Sequence, residues 1–352
     1  KTNITGKVVM VTGAGGSIGS ELCRQIVLLN PEKLILLDIS ESALYQIDQE
    51  LGAMLAENIQ IYPIISSTRD KARLKIIFRY YNVQTIYHAA AYKHVPLVEY
   101  NSSEGILNNV FGTLSLAEAA IDENVETFVL ISTDKAVRPT NIMGASKRIS
   151  ELVLQALAKE NHNTCFTMVR FGNVLDSSGS VIPLFKKQIK KGGPLTLTDA
   201  NIVRYFMTIK ESVELVIQAG AMSTGGDVFI LDMGKPILIY DLAVKMIHLS
   251  GFKLKDKNTP DGDIEIIITG LRPGEKLYEE LLITNNVTKT SNPLIMRARE
   301  EFMEWDKLNP ILDQLKKSIK EGDSKKARDL LIKIVPEYKP EAKINDLLYN
   351  AR

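Results

Sequence analysis

Short apolar runs alternate with segments of helical period through the first half of the chain. The runs Lys7 to Thr12, Lys33 to Asp38, Ile59 to Ile65, Thr85 to His88, Thr127 to Ile131 and Cys165 to Val169 are continuous rather than alternating. That is the pattern of strands covered on both faces. Between them, 20–29, 42–57, 71–81, 106–122 and 141–159 carry apolar residues at helical spacing. Such alternation predicts an α/β fold with a doubly wound parallel sheet. After Asn173 the pattern loosens into Gly, Ser and Pro punctuation, followed by a helix near Lys210 to Ala221 and a strand at Val228 to Asp232. Asp241 stands as the N-cap of a helix over 242–249, and Pro273-Gly274 precedes a helix expected near Glu275. From Trp305 the chain is helical and charge-mixed and reads as a solvated appendix. The expected division is a sheet domain over 1–172 and about 205–235, a smaller α/β lobe over about 173–204 and 236–300, and the helical appendix over 301–352.

Composition narrows the function more than the fold. The 352 residues carry 43 Lys and Arg against 42 Asp and Glu, a formal charge of +1, so no global field favours nucleic acid or an anionic membrane. The partner expected is a small molecule held at a local site. Cys23 and Cys165 lie in apolar patterns without a C-x-x-C pair, so we expect buried thiols in a reducing compartment, with no disulfide and no metal site. No apolar run approaches the ~20 residues of a membrane span, and no signal peptide stands at the N-terminus, which points to the cytoplasm. The sequence begins at Lys1 without an initiator methionine and reads as a fragment of something longer. The alternative location is therefore the cytoplasmic domain of an inner-membrane protein, anchored through a segment ahead of Lys1.

Local chemistry is richest at the first strand-to-helix turn. Gly13-Ala14-Gly15-Gly16-Ser17-Ile18-Gly19 follows a buried strand and opens a helix. Glycines there permit a tight turn and close backbone approach to a pyrophosphate, and the helix N-terminus offers free N–H groups. Asp38, ending the next strand, suits an adenosine ribose, and the following Ile39-Ser40-Glu41 offers no cation for a 2′-phosphate, which favours NAD over NADP.

The G-x-x-G-x-x-G spacing resembles the short-chain dehydrogenase/reductase superfamily in its extended, sugar-nucleotide-modifying branch. Further blocks sharpen the likeness: His88-Ala89-Ala90-Ala91-Tyr92-Lys93-His94-Val95-Pro96, Asn109-Val110-Phe111-Gly112-Thr113, the run from Ser132 to Lys147, Arg170-Phe171-Gly172-Asn173, and Gly270-Leu271-Arg272-Pro273-Gly274-Glu275. Together, over about residues 5 to 285, they resemble the polysaccharide-biosynthesis 4,6-dehydratases that act on UDP-N-acetylglucosamine. The resemblance implies that NAD is held by Gly13, Gly16, Ser17, Ile18, Gly19, Asp38, Ser40, Ser67, Thr68, Ala89, Asn109 and Lys147. It further implies that a UDP-sugar is held by Lys93, Asn173, Arg204, Arg272 and Glu275, and that the subunits form a dimer or higher assembly; the apolar residues of helices 106–122 and 141–159 read either as that contact or as internal core.

Where the superfamily carries Tyr-x-x-x-Lys, this chain has Met143 four residues before Lys147, and a thioether cannot accept the sugar hydroxyl proton. Long, membrane-anchored members of the family resemble it in having Met there. By resemblance, Asp134 is the acid for the departing C6 hydroxyl and Lys135 the base at C5, beside Thr133. At neutral pH those roles need a raised Asp134 pKa and a lowered Lys135 pKa, the latter helped by Lys147. A threonine hydroxyl is a poor base unaided, so Asp134 or a water relay is the candidate acceptor for the C4 proton. Two departures stand out: Ser66 to Asp70 replaces the family's Gly-Asp-Val-Arg-Asp, and Asp176 replaces a glycine. The reading expected is NAD-dependent 4,6-dehydration of UDP-N-acetylglucosamine for bacterial glycan assembly. A nucleotide-sugar 4-epimerase and a non-catalytic NAD-sensing module are the alternatives.

Overall fold

The computed structural model describes residues 2–54, 59–160, 162–280, 287–340 and 343–348. Nine strands form the main sheet: β1 Val8–Thr12, β2 Lys33–Asp38, β3 Gln60–Ile65, β4 Thr85–His88, β5 Thr127–Ile131, β6 Cys165–Arg170, β7 Asp227–Leu231, β8 Val287–Lys289 and β9 Ile295–Ala298. Their order is β8-β9-β7-β6-β5-β4-β1-β2-β3, parallel from β7 to β3 and antiparallel at β8 and β9. The unbroken apolar strands split their residues between two cores. Val8, Met10, Ile35, Phe128 and Leu130 enter one; Val9, Val11, Leu34, Leu36 and Val129 enter the other. The sequence pattern therefore reports a doubly covered sheet, as expected of a doubly wound α/β fold.

The helices follow from the same pattern. α1 Ser17–Val27, α2 Glu41–Met54 and α9 Ile209–Met222 cover one face. On the other lie α3 Lys71–Tyr81, α4 Val95–Tyr100, α5 Ser102–Ile106, α6 Gly112–Asp122 and α7 Ile142–Leu157. α1 begins three residues earlier than the periodicity suggests, because the glycine loop passes directly into it. The single helix expected over 106–122 is instead α5 and α6 joined by a π turn at Leu107–Phe111. The end of the helix expected to reach Glu57 lies outside the described residues.

The smaller lobe packs α8 Val181–Lys190 and α10 Ile239–Leu249 around Phe185, Leu195, Leu197, Ile202 and Ile264. Strand 195–197 pairs with 266–268, and 203–204 with 237–238. Asp241 does not cap α10. That helix starts at Ile239, and Asp241 lies in its first turn, where a carboxylate favours the helix dipole. No helix forms at Glu275. Gly274 has φ +74°, its carbonyl accepts from Thr140 Oγ1 and Asn141 Nδ2, and the Arg272 N–H donates to the Glu275 carboxylate, so the segment closes as a turn. Residues 287–298, expected in this lobe, return to the main sheet as β8 and β9.

The C-terminal segment is not a solvated appendix. α11 Trp305–Glu321 and α12 Ser324–Ile334 bury Leu308, Leu312, Leu315 and Leu331 in the core shared with Ile149 and Val153 of α7. Charged residues on their outer faces masked this in composition, but apolar residues at helical spacing form the inward stripe. All residues of α7 are buried. The apolar residues of α7 are thus internal core, packed in part against the chain's own tail. No helix among the described residues is long and apolar enough to cross a membrane. Leu315→Ala should lower unfolding free energy by about 2–5 kcal/mol, the range for an emptied core position. Urea denaturation measures it, and a loss within about 0.5 kcal/mol would instead mark a surface residue.

Candidate active site

A cavity of about 770 Å³ opens at the carboxyl ends of β1, β4, β5 and β6. One wall is the glycine loop. Gly13 sits at φ +68°, and a Cβ there would lie 2.7 Å from the Ala90 nitrogen. A Cβ on Gly19 would strike the Gly13 carbonyl. Gly16 places no side-chain cap on α1, so the first-turn N–H groups are left to the cavity lined by Gly16, Ser17, Ile18 and Gly19. The cradle fits a pyrophosphate for the reason helix N-termini bind anions generally.

The predicted cofactor residues separate into two groups. Gly13, Gly16, Ser17, Ile18, Gly19, Ala89 and Lys147 line the cavity. Asp38, Ser40, Ser67, Thr68 and Asn109 do not. Asp38 accepts the N–H of Gly15 and of Ser40, each at 2.9 Å, and so braces the glycine loop. The Ser40 hydroxyl lies 3.4 Å from the Ala43 N–H at the start of α2, the Ser67 hydroxyl accepts from the Arg69 N–H, and Thr68 is buried beside Gly112. Asn109 clamps both backbone groups of Tyr92 and donates to Ser146 Oγ, which fully occupies its amide in positioning the loop ahead of Lys93.

At the end of β5, Thr133, Lys135, Met143 and Lys147 face the cavity while Asp134 lies behind them, 1% exposed. Asp134 Oδ1 accepts from Thr133 Oγ1 at 2.9 Å and from Lys135 Nζ at 3.0 Å; its Oδ2 is buried with no hydrogen-bond partner among the described residues. Lys135 also donates to Asn173 Oδ1 at 3.2 Å. The expectation of a lowered Lys135 pKa is overturned. Burial pulls it down, but the carboxylates of Asp134 and Glu279 outweigh burial and hold it above the ordinary lysine value. Lys147 behaves oppositely. Its Nζ donates to the Ile131 carbonyl at 2.7 Å, and burial, only partly opposed by Glu151, brings it to about 8.

Substrate candidates also divide. Lys93 and Asn173 line the cavity, and burial lowers the Lys93 pKa. Arg204, Arg272 and Glu275 lie beyond its lining. Arg204 donates to the carbonyls of Val203 and Leu277 and stands 3.6 Å from Glu275, whose carboxylate also accepts from Thr198 Oγ1; the Arg272 side chain is exposed. Asp176 adopts φ +58°, the conformation for which a glycine is usual, and pairs with Lys186. Sequence reading missed Glu279, whose carboxylate reaches Lys135 at 3.7 Å and Arg204 at 3.9 Å. Nothing in its spacing distinguishes it from neighbouring Glu280. It also missed the buried cluster beneath the site, where Glu151 accepts from Ser132 Oγ at 2.6 Å and from Arg170.

A glycine-rich turn after β1, a polar β5 end and a buried lysine one turn into α7 define an extended short-chain dehydrogenase/reductase. The chain belongs to the family described as polysaccharide biosynthesis protein, which matches residues 9–300. It is similar to the capsular polysaccharide biosynthesis protein CapD of Staphylococcus aureus, with 53% identity over 284 residues, 81% of this chain and 46% of that protein. The chain thus spans about half the length of that relative. It shares 32% identity over 286 residues, 80% of this chain and 79% of the relative, with the inverting UDP-N-acetylglucosamine 4,6-dehydratase of Campylobacter jejuni. Relatives named as UDP-glucose 4-epimerases also match. The X-ray structure of Pen from Bacillus thuringiensis superposes with a TM-score of 0.76 at 33% identity, covering 86% of this chain and 92% of that one.

Site-resolved amine labelling across pH should place the Lys147 midpoint near 8. Because the folded chain then binds fewer protons than the unfolded chain between 8 and the ordinary 10.5, Lys147 should add stability as pH rises through that window. A midpoint near 10.5 would mean that burial does not govern this amine.

Proposed function

We propose that the protein catalyses NAD-dependent 4,6-dehydration of UDP-N-acetylglucosamine, forming a UDP-4-keto-6-deoxy sugar for bacterial glycan assembly. The observation that carries this reading is the Thr133–Asp134–Lys135 chain of hydrogen bonds, whose two ends, Thr133 and Lys135, face the same cavity as the glycine loop. NAD would supply the hydride acceptor for C4 and the hydride donor for C6. Gly13, Gly16, Ser17, Ile18 and Gly19 would hold its pyrophosphate, and Lys147 its nicotinamide ribose. Asp38, Ser40, Ser67 and Thr68, at the ends of β2 and β3, would serve its adenosine end. Lys93, Asn173, Arg204, Arg272 and Glu275 would serve the UDP-sugar.

The missing phenol at position 143 is replaced by a relay. Thr133 receives the C4 hydroxyl proton and passes its own to Asp134, 2.9 Å away. This converts Asp134 into the acid that the C6 hydroxyl needs in order to leave as water. Lys135, which faces the cavity, takes the C5 proton made acidic by the new C4 ketone. An epimerase needs neither group near C5 and C6, and a cofactor-sensing module leaves the whole chain of hydrogen bonds unused.

The test is incubation with UDP-N-acetylglucosamine and NAD⁺ in deuterated water, read by mass spectrometry and proton NMR. Loss of one water with deuterium at C5 is expected. Unchanged mass with a galacto-configured product would make the protein an epimerase, and NAD binding without turnover would favour the sensing module. Asp134→Asn and Lys135→Ala should each lower kcat by about 10²–10⁴-fold while leaving NAD binding intact. Full activity in either variant would remove these roles.

A further inference from the structure

An ammonium has three N–H donors. Two of those on Lys135 are engaged, by Asp134 Oδ1 at 3.0 Å and Asn173 Oδ1 at 3.2 Å. The third is left for Glu279, whose Oε1 stands 3.7 Å from Nζ. The Glu279 side chain is 4% exposed, and its second oxygen, Oε2, is buried with no hydrogen-bond partner among the described residues. A buried carboxylate oxygen with nothing donating to it is costly, and here it leaves an open acceptor beside the Lys135 ammonium. Glu279 belongs to the turn after Gly274 in the small lobe, whereas Lys135 follows β5 in the sheet domain. The contact therefore crosses between the two parts of the fold.

Resting on the dehydration proposed above, we infer that Glu279 takes the proton of Lys135 before the C5 step and returns it afterwards. The need is one of proton balance. A charged Lys135 cannot remove the C5 proton. Once the C4 hydroxyl proton has reached Asp134, the nearest anion holding the Lys135 charge is neutralised, and Glu279 remains as acceptor. Lys135 passes a proton to Glu279 and, now neutral, takes the one on C5. Asp134 gives its proton to the leaving C6 hydroxyl, which departs as water. After C6 is reduced, Lys135 returns its proton to C5 and regains one from Glu279. Asp134, Lys135 and Glu279 end as they began, and the sugar has lost one water.

The charged groups around Lys135 are Asp134 on its own turn, Glu279 from the small lobe and Arg204 from strand 203–204. Arg204 lies 3.9 Å from Glu279 and pairs with it in the resting site, and in the proposed order the transfer follows the loss of charge on Asp134. Glu279 acts through Lys135 and is a positioning residue rather than one that touches the sugar.

The experiment compares the full chain with Glu279→Gln and Glu279→Asp, using UDP-N-acetylglucosamine and NAD⁺ across pH. In the Gln variant kcat should fall by about 100-fold with KM changed less than about twofold, since a proton acceptor and not a binding group is lost. Its log kcat should climb with pH from about 6 to about 9, because Lys135 must then release its proton to water. The Asp variant keeps an acceptor and should retain the flat profile of the wild type over that range. A Gln variant with wild-type kcat and profile overturns the inference, as does an Asp variant that follows Gln. Amine labelling of Lys135 separates the two proposals. If the wild type turns over no UDP-sugar, the dehydration fails and takes the proton's use with it. Labelling still decides the contact: Lys135 should react faster at pH 8 in the Gln variant, and unchanged reactivity would show that Glu279 does not hold its proton.

Discussion

The Glu151 carboxylate, buried beneath the cavity, is the point on which sheet, helix and tail converge. Its two oxygens accept from Ser132 Oγ at the end of β5 and from Arg170 Nε and Nη2 on β6, while Arg148 approaches at 3.2 Å. Glu300, just past β9, completes the cluster by pairing with both arginines. Burial alone would raise the Glu151 pKa, but Arg170 and Arg148 hold it below the ordinary carboxylate range, so it stays an anion throughout the neutral range. Removing one partner from such a cluster leaves an uncompensated buried charge, at a cost of about 3–5 kcal/mol. The antiparallel return of the chain to the sheet edge is thereby tied to the end of β5, where the polar residues of the cavity stand.

That anchoring gives two lysines in one cavity opposite electrical surroundings. Lys147 reaches a backbone carbonyl, feels only the distant compensation of Glu151, and is brought down toward neutrality. Lys135 faces two carboxylates and retains its proton more firmly than a lysine in water. Residue type did not separate them. What separates them is the carboxylates beside Lys135: Asp134 on its own turn and Glu279, brought by the 271–280 turn that closes against Asn141.

Much of the sheet domain was legible because each of its features is local. An uninterrupted apolar run reports two buried faces, and a glycine triplet between strand and helix reports a close backbone approach. The parts that were not legible depend on distant contacts. Asp241 looks like a cap until the antiparallel pair 203–204 with 237–238 sets α10 starting earlier. The tail looks solvated because its charged residues outnumber its apolar stripe, and only the facing α7 shows that the stripe is core. Asn109 belongs to a recognisable block, yet its side-chain amide is committed to the Tyr92 backbone and to Ser146. A motif locates a residue near a site, but its hydrogen-bond partners decide whether it faces the ligand or holds the wall.

Met143 shows how such a wall can alter chemistry. It is 2% exposed, lines the cavity, and stands one helical turn before Lys147, where it offers a proton nowhere to go. A phenol in that place would give the C4 proton a short route on α7, close to Lys147. With a thioether there, the proposed route starts at the cavity-facing hydroxyl of Thr133 next to β5 and ends at Asp134, to which that hydroxyl donates. In the proposed reaction the same carboxyl must shortly give a proton to the C6 oxygen. Under that proposal the substitution removes a competing acceptor on α7, so that the proton released in the first step is stored where the elimination uses it.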